Sequence, residues 1–438
     1  MRFHPSVFRG PFGKATQMLI LLFVLALCAC GCRGSLPTGH GQSASGAVSQ
    51  PTQAEQPSPI RLLLWRNSAV AARQGVYFLG YDSPNVIYYY DEASGLSVPL
   101  CSQPNCAHNS DACTAYAAGM LYLMLDEENE SQPLYLYRTV DSLDPNEYPK
   151  AQIYSMDANG ANRTLRLEYQ NGLITSAMAA SDEHLYFLAS EVDETTQESV
   201  VALYQAPLNG SGPKRLAQYT SSTVLLGAYD QKLILEHNNG SFAGAVADVV
   251  EYDVATGQEK QLFHYEADPQ MDEHFNRKAN PVAFSYQHQL YVLEPNGEKQ
   301  AQLSCWDLRT GAQQVIAQSV PYYAIHAAED GRFFDGKLML SCTENLPDGA
   351  GPTGKTFAID LQTGEYQTID LTTEIGSPFE IYGETQSHYI ILSGGSLRTS
   401  TMLKEDGTTE ELSYSDADFY LMDKADYYAS IDEKELLR

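Results

Sequence analysis

Basic residues are scarce in this sequence. Its 438 residues hold 27 Lys and Arg against 55 Asp and Glu, a net charge of −28. So acidic a chain lacks the basic face that neutralises phosphates, which argues against nucleic acid as a partner. The charge suits solubility and attraction of cations. Catalytic signatures are also missing: no G-x-G-x-x-G opening a helix, no Walker A, no H-E-x-x-H and no G-x-S-x-G. Histidines outside one short loop are isolated. His184, His237, His264, His274, His288, His326 and His388 fall mostly at strand or loop edges, where surface and turn roles are ordinary. Acidic pairs such as Asp126-Glu127 lack an EF-hand pattern. A glycosidase carboxylate pair stays open, because 55 acids offer many pairings.

Long apolar runs are missing too, with one exception at the start. Met18 to Ala29 follows Arg2, Arg9 and Lys14. It has the length of a signal h-region and is too short to span a bilayer comfortably. The run ends Leu27-Cys28-Ala29-Cys30, which resembles a bacterial lipobox. Cys30 fits best as the lipidated residue, with Ala29 just before it and Leu27 three positions back. An ordinary signal peptide or membrane anchor is the rival reading. Residues 1–29 are thus expected to be a lipoprotein signal peptide. Residues 30–58 are rich in Ser, Gly, Gln, Pro and Ala without apolar periodicity, and read as a lipidated disordered tether. Such a linker reaches about 30 Å. The expected location is the extracytoplasmic face of a bacterial cell membrane, with the membrane a partner through the lipid.

From Ile60 onward the chain repeats. An apolar strand of the L-Y-F-L type recurs at Val76–Leu79, Leu121–Met124, Leu185–Leu188, Leu233–Leu235, Leu290–Leu293, Leu338–Leu340 and Tyr389–Leu392. A hairpin follows each, ending in a turn glycine at 95, 160, 210, 257, 311, 364 or 407. An Asp usually ends the hairpin's first strand, as in VEYDVATG and SCWDLRTG. Four short strands at a period near fifty mark propeller blades. Residues 59–438 are therefore predicted to form an all-β, seven-bladed β-propeller of four-stranded antiparallel blades. Eight blades are the alternative. There, Phe419–Met422 would start another unit and Arg61 to Trp65 would complete it. The C-terminal segment could instead hold a short helix capped by Asp423. Variable loops are expected at Asp126 to Tyr148, Asn239 to Val246 and Leu346 to Lys355.

Cysteine is infrequent, at eight residues, and it clusters. Cys101, Cys106, His108 and Cys113 lie in one polar loop with the spacing C-x4-C-x-H-x4-C, between the first and second repeats. Three readings are open. Three thiolates and an imidazole suit a structural zinc ion. Export would permit a disulfide, at the cost of stranding one thiol. Reduced thiols could simply pack at a blade junction. Cys305 and Cys342 lie in neighbouring repeats, where they are small buried hydrophobes or a disulfide.

Val98-Pro99-Leu100-Cys101, Cys106-Ala107-His108 and Cys113-Thr114-Ala115-Tyr116 resemble the β-propeller surface lipoproteins of Firmicutes, the DUF5050-type or TolB-like group. The lipobox and Asp426-Tyr427-Tyr428-Ala429-Ser430 resemble it as well. The resemblance implies a surface propeller and assigns no activity. The expected function is a non-enzymatic binding or scaffold module for a protein, peptide or glycan partner. The alternative is an extracytoplasmic polysaccharide hydrolase or lyase with a site in the central channel.

Overall fold

The computed structural model describes residues 58–437, apart from 64–68, 73, 81–85, 127–132, 145–146, 176, 194, 240–245, 267–279, 324–331, 346–351 and 375. The proposed signal and tether up to residue 57, Cys30 included, lie outside the described residues, as do His274 and His326.

Seven antiparallel sheets follow one another along the chain and form the seven blades of a propeller. Blades 1 to 7 comprise residues 69–99, 120–169, 173–219, 222–266, 282–321, 332–369 and 380–436. Each has four strands in sequence order, except that blade 3 carries two additional short pieces. The reason for the ring lies in the strands. In blade 3, Leu185, Phe187 and Ala189 enter a buried cluster with blade 2, while Tyr186 and Leu188 enter one with blade 4. Alternate residues thus point to opposite neighbours, and both faces of the strand must be apolar. Seven such clusters of buried side chains occur, one at each seam between blades. The outermost strands are largely exposed, as at Glu259–Glu266.

The repeated turn has a local cause. In blades 4, 5 and 6, Asp253, Asp307 and Asp360 each accept a hydrogen bond from the amide of the Thr three residues on, at 2.8 Å. The following glycine donates back to the Asp carbonyl and has positive φ, for example 69° at Gly257 and 73° at Gly311. An Asx turn followed by a left-handed residue needs this Asp-x-x-Thr-Gly order.

Four expectations are corrected. Leu121–Met124 belongs to the inner strand of blade 2, Met120–Leu125, and the second strand is Leu134–Val140. It lies within the segment read as a loop, where the acidic stretch and Pro133 before it hid a short apolar run. The turn at Gly407 is the tip of a long hairpin between the second and third strands of blade 7, His388–Leu403 and Thr409–Asp423, rather than between the third and outer strands. Phe419–Met422 ends that third strand, so no eighth blade begins there. Arg61–Leu63 pairs with Met178–Ala180 on the inner side of blade 3 instead of completing the last blade. The expected helix is present as Lys424–Tyr428, with Asp423 accepting from the Ala425 amide. Cys305 and Cys342 are buried in the seam between blades 5 and 6, and no disulfide joins them.

Among the described residues blade 7 is built from C-terminal strands alone, and no strand is exchanged to close the ring. Side chains hold the seam instead. Ala69, Ala71, Val76 and Phe78 of blade 1 pack on Tyr382, Ile390, Phe419 and Leu421 of blade 7. At the rim, Glu92 accepts hydrogen bonds from the Thr385 and Ser387 hydroxyls at 2.6 and 2.5 Å and from the Ser387 amide at 3.2 Å. His388 Nδ1 lies 2.9 Å away. The tip of the long hairpin adds a strap. The backbone at Lys404 forms a parallel bridge with that at Asp141 of the blade 2 rim, and the Glu405 amide donates to the Asp141 carbonyl at 3.0 Å.

Partial burial alone would raise the Glu92 carboxyl; the hydrogen bonds from Ser387, Thr385 and His388 outweigh it and hold it at about 2, against an ordinary 4.5. A carboxyl depressed in the folded state adds stability above its unfolded value and loses it as pH falls through the folded value. Glu92→Gln is expected to cost about 2 kcal/mol at pH 7 in urea unfolding. The gap from the parent chain should shrink steadily between pH 4.5 and pH 2. A gap independent of pH would mean that the charge of Glu92 does not hold the seam.

Candidate metal centre

The loop from Cys101 to Cys113 runs from the outer strand of blade 1, Leu96–Pro99, to the inner strand of blade 2. Backbone bonds within it and to the third strand of blade 1 shape it. The Leu100 amide donates to the Ile87 carbonyl, the Ile87 amide to Ala115, and the Cys113 amide to Ser110. The Thr114 hydroxyl donates to the Leu100 carbonyl at 2.9 Å, pinning the loop's two ends together. Asn105 and His108 adopt φ of 57° and 51°, a left-handed bend that non-glycine residues seldom take without compensation. Glycine packs closely here as well: a Cβ on Gly160 of blade 2 would lie 2.6 Å from the Leu100 carbonyl oxygen.

These bends bring all four expected ligands together. The donor atoms of Cys101, Cys106, His108 and Cys113 lie within 4.8 Å of one another. His108 Nδ1 is 3.2 Å from Cys113 Sγ. None of the three sulfurs is in a disulfide. Cys113 is buried and the other three are half-buried, in the seam between blades 1 and 2. A Cys3His cluster of this size could hold a metal ion. Ligands around a tetrahedral zinc stand about 3.8 Å apart for sulfur pairs, so the cluster needs to contract by about an ångström at most.

The thiols differ. Burial raises Cys101, but the Gln103 amide and hydrogen bonds from Cys113, Cys106 and Thr114 outweigh it and leave the thiol below its ordinary value. Burial pushes Cys113 up to about 11, against the Ala115 amide.

The surroundings carry a second sign. Arg163 donates to the Tyr116 carbonyl at 2.5 Å and stacks over Tyr154 at 4.7 Å. Its buried Nη2 has no hydrogen-bond partner among the described residues. Burial, then the neighbouring Arg138, lower its pKa. Arg138 pairs with Asp111 of the loop at 2.9 Å. A guanidinium without a carboxylate is costly inside a protein. Three thiolates and a neutral imidazole around a divalent cation carry one net negative charge, which Arg163 would balance. The donor set and this orphaned cation both fit a metal at the cluster. Sequence reasoning missed the two arginines. Arg138 sits in the strand misread as a loop, and Arg163 lies 50 positions beyond Cys113. Their rarity in so acidic a chain was the available signal.

Several buried carboxylates are engaged by basic side chains. Buried Asp126 is paired with Arg61, Glu191 with Arg215 and Glu251 with Lys232. Asp335 and Glu384 converge, but on Lys424 at 2.8 and 2.6 Å, where they tie blade 6 to blade 7.

No family model and no curated protein matches the sequence. Solved structures do. An acylaminoacyl peptidase from Pyrococcus horikoshii is 11% identical, over 86% of this chain and 52% of that one, with a TM-score of 0.46. The propeller domain of the Trilobed protease from Pyrococcus furiosus is 11% identical over 70% and 94%, at 0.35. TolB from Acinetobacter baumannii is 11% identical over 74% and 66%, at 0.32. The chain spans about half the length of the peptidase it is similar to. The seven-bladed assignment rests on the sheets themselves.

Mass spectrometry of the purified full chain is expected to find one zinc per chain and three thiols protected from alkylation. Cys113→Ser should lose the metal, and chelation should lower the melting temperature of the parent chain by several degrees. Arg163→Gln should weaken zinc binding by about tenfold, as loss of an outer-shell partner does. A metal-free chain with a Cys101–Cys106, Cys101–Cys113 or Cys106–Cys113 bridge contradicts the assignment.

Proposed function

We propose that this protein is a lipid-anchored, extracytoplasmic β-propeller that works as a binding or scaffold module, with Cys101, Cys106, His108 and Cys113 holding a structural zinc ion. The Leu27-Cys28-Ala29-Cys30 pattern supports the anchor, and where the chain enters the ring would set its orientation. The Ser58 hydroxyl accepts from the Asp182 amide at 3.1 Å, and the Ile60 amide donates to the Asp230 carbonyl at 2.6 Å. Asp182 and Asp230 lie in the turns between the first and second strands of blades 3 and 4. A tether leading to lipidated Cys30 would therefore leave from the turn face. The opposite face, with the loops between second and third strands and the long hairpin of blade 7, would point away from the membrane. Loops on a rigid scaffold are where binding residues concentrate. The partner class is a protein, peptide or glycan. Membership of the Firmicutes surface-lipoprotein group is part of the same reading.

Cys30→Ser is expected to move the protein from the membrane fraction to the soluble one and to abolish labelling with a palmitate analogue. Unchanged membrane retention and labelling would contradict the anchor. Incubated with isolated cell-wall polysaccharide, the full chain in detergent should be retained without releasing reducing ends. Steady release of reducing ends would favour the hydrolase instead.

A further inference from the structure

Blade 7 carries an element that the other blades lack. Its second and third strands, His388–Leu403 and Thr409–Asp423, run to 16 and 15 residues, whereas the second strands of the other blades stop at 9 or fewer. The inner strand covers the second only at residues 389–392. Beyond them, residues 395–403 and 409–417 form a two-stranded ribbon of nine residue pairs, roughly 30 Å long at the rise of a strand. A ribbon of two strands is marginal in water on its own. This one is fastened at its tip, where Lys404 bridges Asp141, and its first strand lies against Leu134–Val140 of blade 2. Among the described residues, the outer side of its second strand is paired only at Tyr420 and Leu421, by Glu435–Leu436.

The register says which backbone groups this outer edge presents. The Lys404 amide donates to the Thr408 carbonyl at 2.9 Å, so 404 and 408 are a hydrogen-bonded pair. Pairs in an antiparallel ribbon alternate between bonded and non-bonded. Residues 410, 412, 414 and 416 therefore bond inward across the ribbon, and Thr409, Glu411, Ser413 and Ser415 turn their N–H and C=O groups outward. Proline and bulges are the usual means of blunting such an edge. Residues 395–417 contain no proline, and their nine pairs carry no bulge. The charges present are of one sign. Residues 409–418 hold Glu410, Glu411, Asp416 and Asp418 and no Lys or Arg. Two such edges meeting would set like charges opposite one another, which disfavours a second copy of this chain and favours a basic strand.

We propose that residues 409–417 are a docking edge for an extended, basic polypeptide segment, which adds to the ribbon as a third strand. Outward N–H and C=O groups at strand spacing are matched by another extended main chain. The ribbon leaves blade 7 at the end opposite the turns where Ser58 enters, on the face that the proposed anchor would leave free. The docking edge rests on the binding-module reading and narrows its partner to a protein or peptide.

Fluorescence anisotropy with labelled decapeptides and the full chain in detergent tests it. An alternating Lys-Val decapeptide is expected to bind with a micromolar constant. An alternating Lys-Pro decapeptide has the same charge but cannot pair as a strand, and should bind at least about tenfold more weakly; an alternating Glu-Val decapeptide should do the same. Ser413→Pro removes one outward N–H and no bond within the ribbon, a place where an edge strand tolerates proline. It should weaken Lys-Val binding by about tenfold, as loss of a hydrogen bond does, and leave the melting temperature of the free chain unchanged. Ser413→Ala should bind as the parent does. Equal binding of the Lys-Val and Lys-Pro peptides to the parent chain, a comparison that needs no variant, means that charge alone draws them and overturns the docking edge. Binding that survives Ser413→Pro in a folded chain overturns it as well. A parent chain that is dimeric and becomes monomeric on Ser413→Pro puts a second copy at the edge and overturns the basic partner. If no decapeptide binds, the docking edge falls, and the binding-module reading is decided separately by retention on cell-wall polysaccharide.

Discussion

A propeller is a ring of sheets that cannot stand singly, and its stability depends on the last seam being closed. Among the described residues no strand crosses that seam. Blade 1 is also the smallest unit, with strands of 4, 5, 5 and 4 residues where blade 4 has four of 8. It therefore brings the least apolar surface to its neighbours and has no covalent tie to blade 7. The chain compensates on both sides. Toward blade 7, an apolar cluster is reinforced by the Glu92 latch. Toward blade 2, the junction carries four soft ligands in thirteen positions. A metal there would fix the outer strand of blade 1 against its neighbour with bonds stronger than any single side-chain contact.

Charged groups serve the same end elsewhere. Arg309 of blade 5 reaches Asp230 of blade 4, and Lys424 of blade 7 reaches Asp335 of blade 6. The first pair is half exposed and adds little on its own. The second is better shielded and is backed by the Tyr389 and Tyr428 hydroxyls at Asp335. Such latches occupy carboxylates that might otherwise look catalytic, and they account for much of the polar chemistry at the seams.

Much of the fold was legible because the ring imposes one rule many times. Strands buried on both faces read as continuous apolar runs, and turns of one type read as Asp-x-x-Thr-Gly. The failures occurred where a blade departs from that rule. Leu134–Val140 carries the usual apolar run, but the acidic stretch before it disguised the strand. The blade 7 hairpin carries the usual turn glycine at Gly407, but at the tip of an arm rather than at the rim. Arg61–Leu63 pairs three blades from where closure would have put it, a choice set by Arg61 reaching Asp126 and Asp182, which no local pattern announces. The candidate metal site was legible in its ligands, because cysteine is rare here. Its counter-charge was not, because Arg138 and Arg163 come from two other segments of blade 2 that only folding assembles.

The central claim is that the Cys101–Cys113 loop is a metal centre fastening blade 1 to blade 2. X-ray absorption at the zinc edge of the purified full chain tests it most directly. The account expects a first shell of three sulfurs at about 2.3 Å and one nitrogen at about 2.0 Å. A zinc edge with oxygen and nitrogen neighbours alone, or no zinc edge from a correctly folded chain, would contradict it.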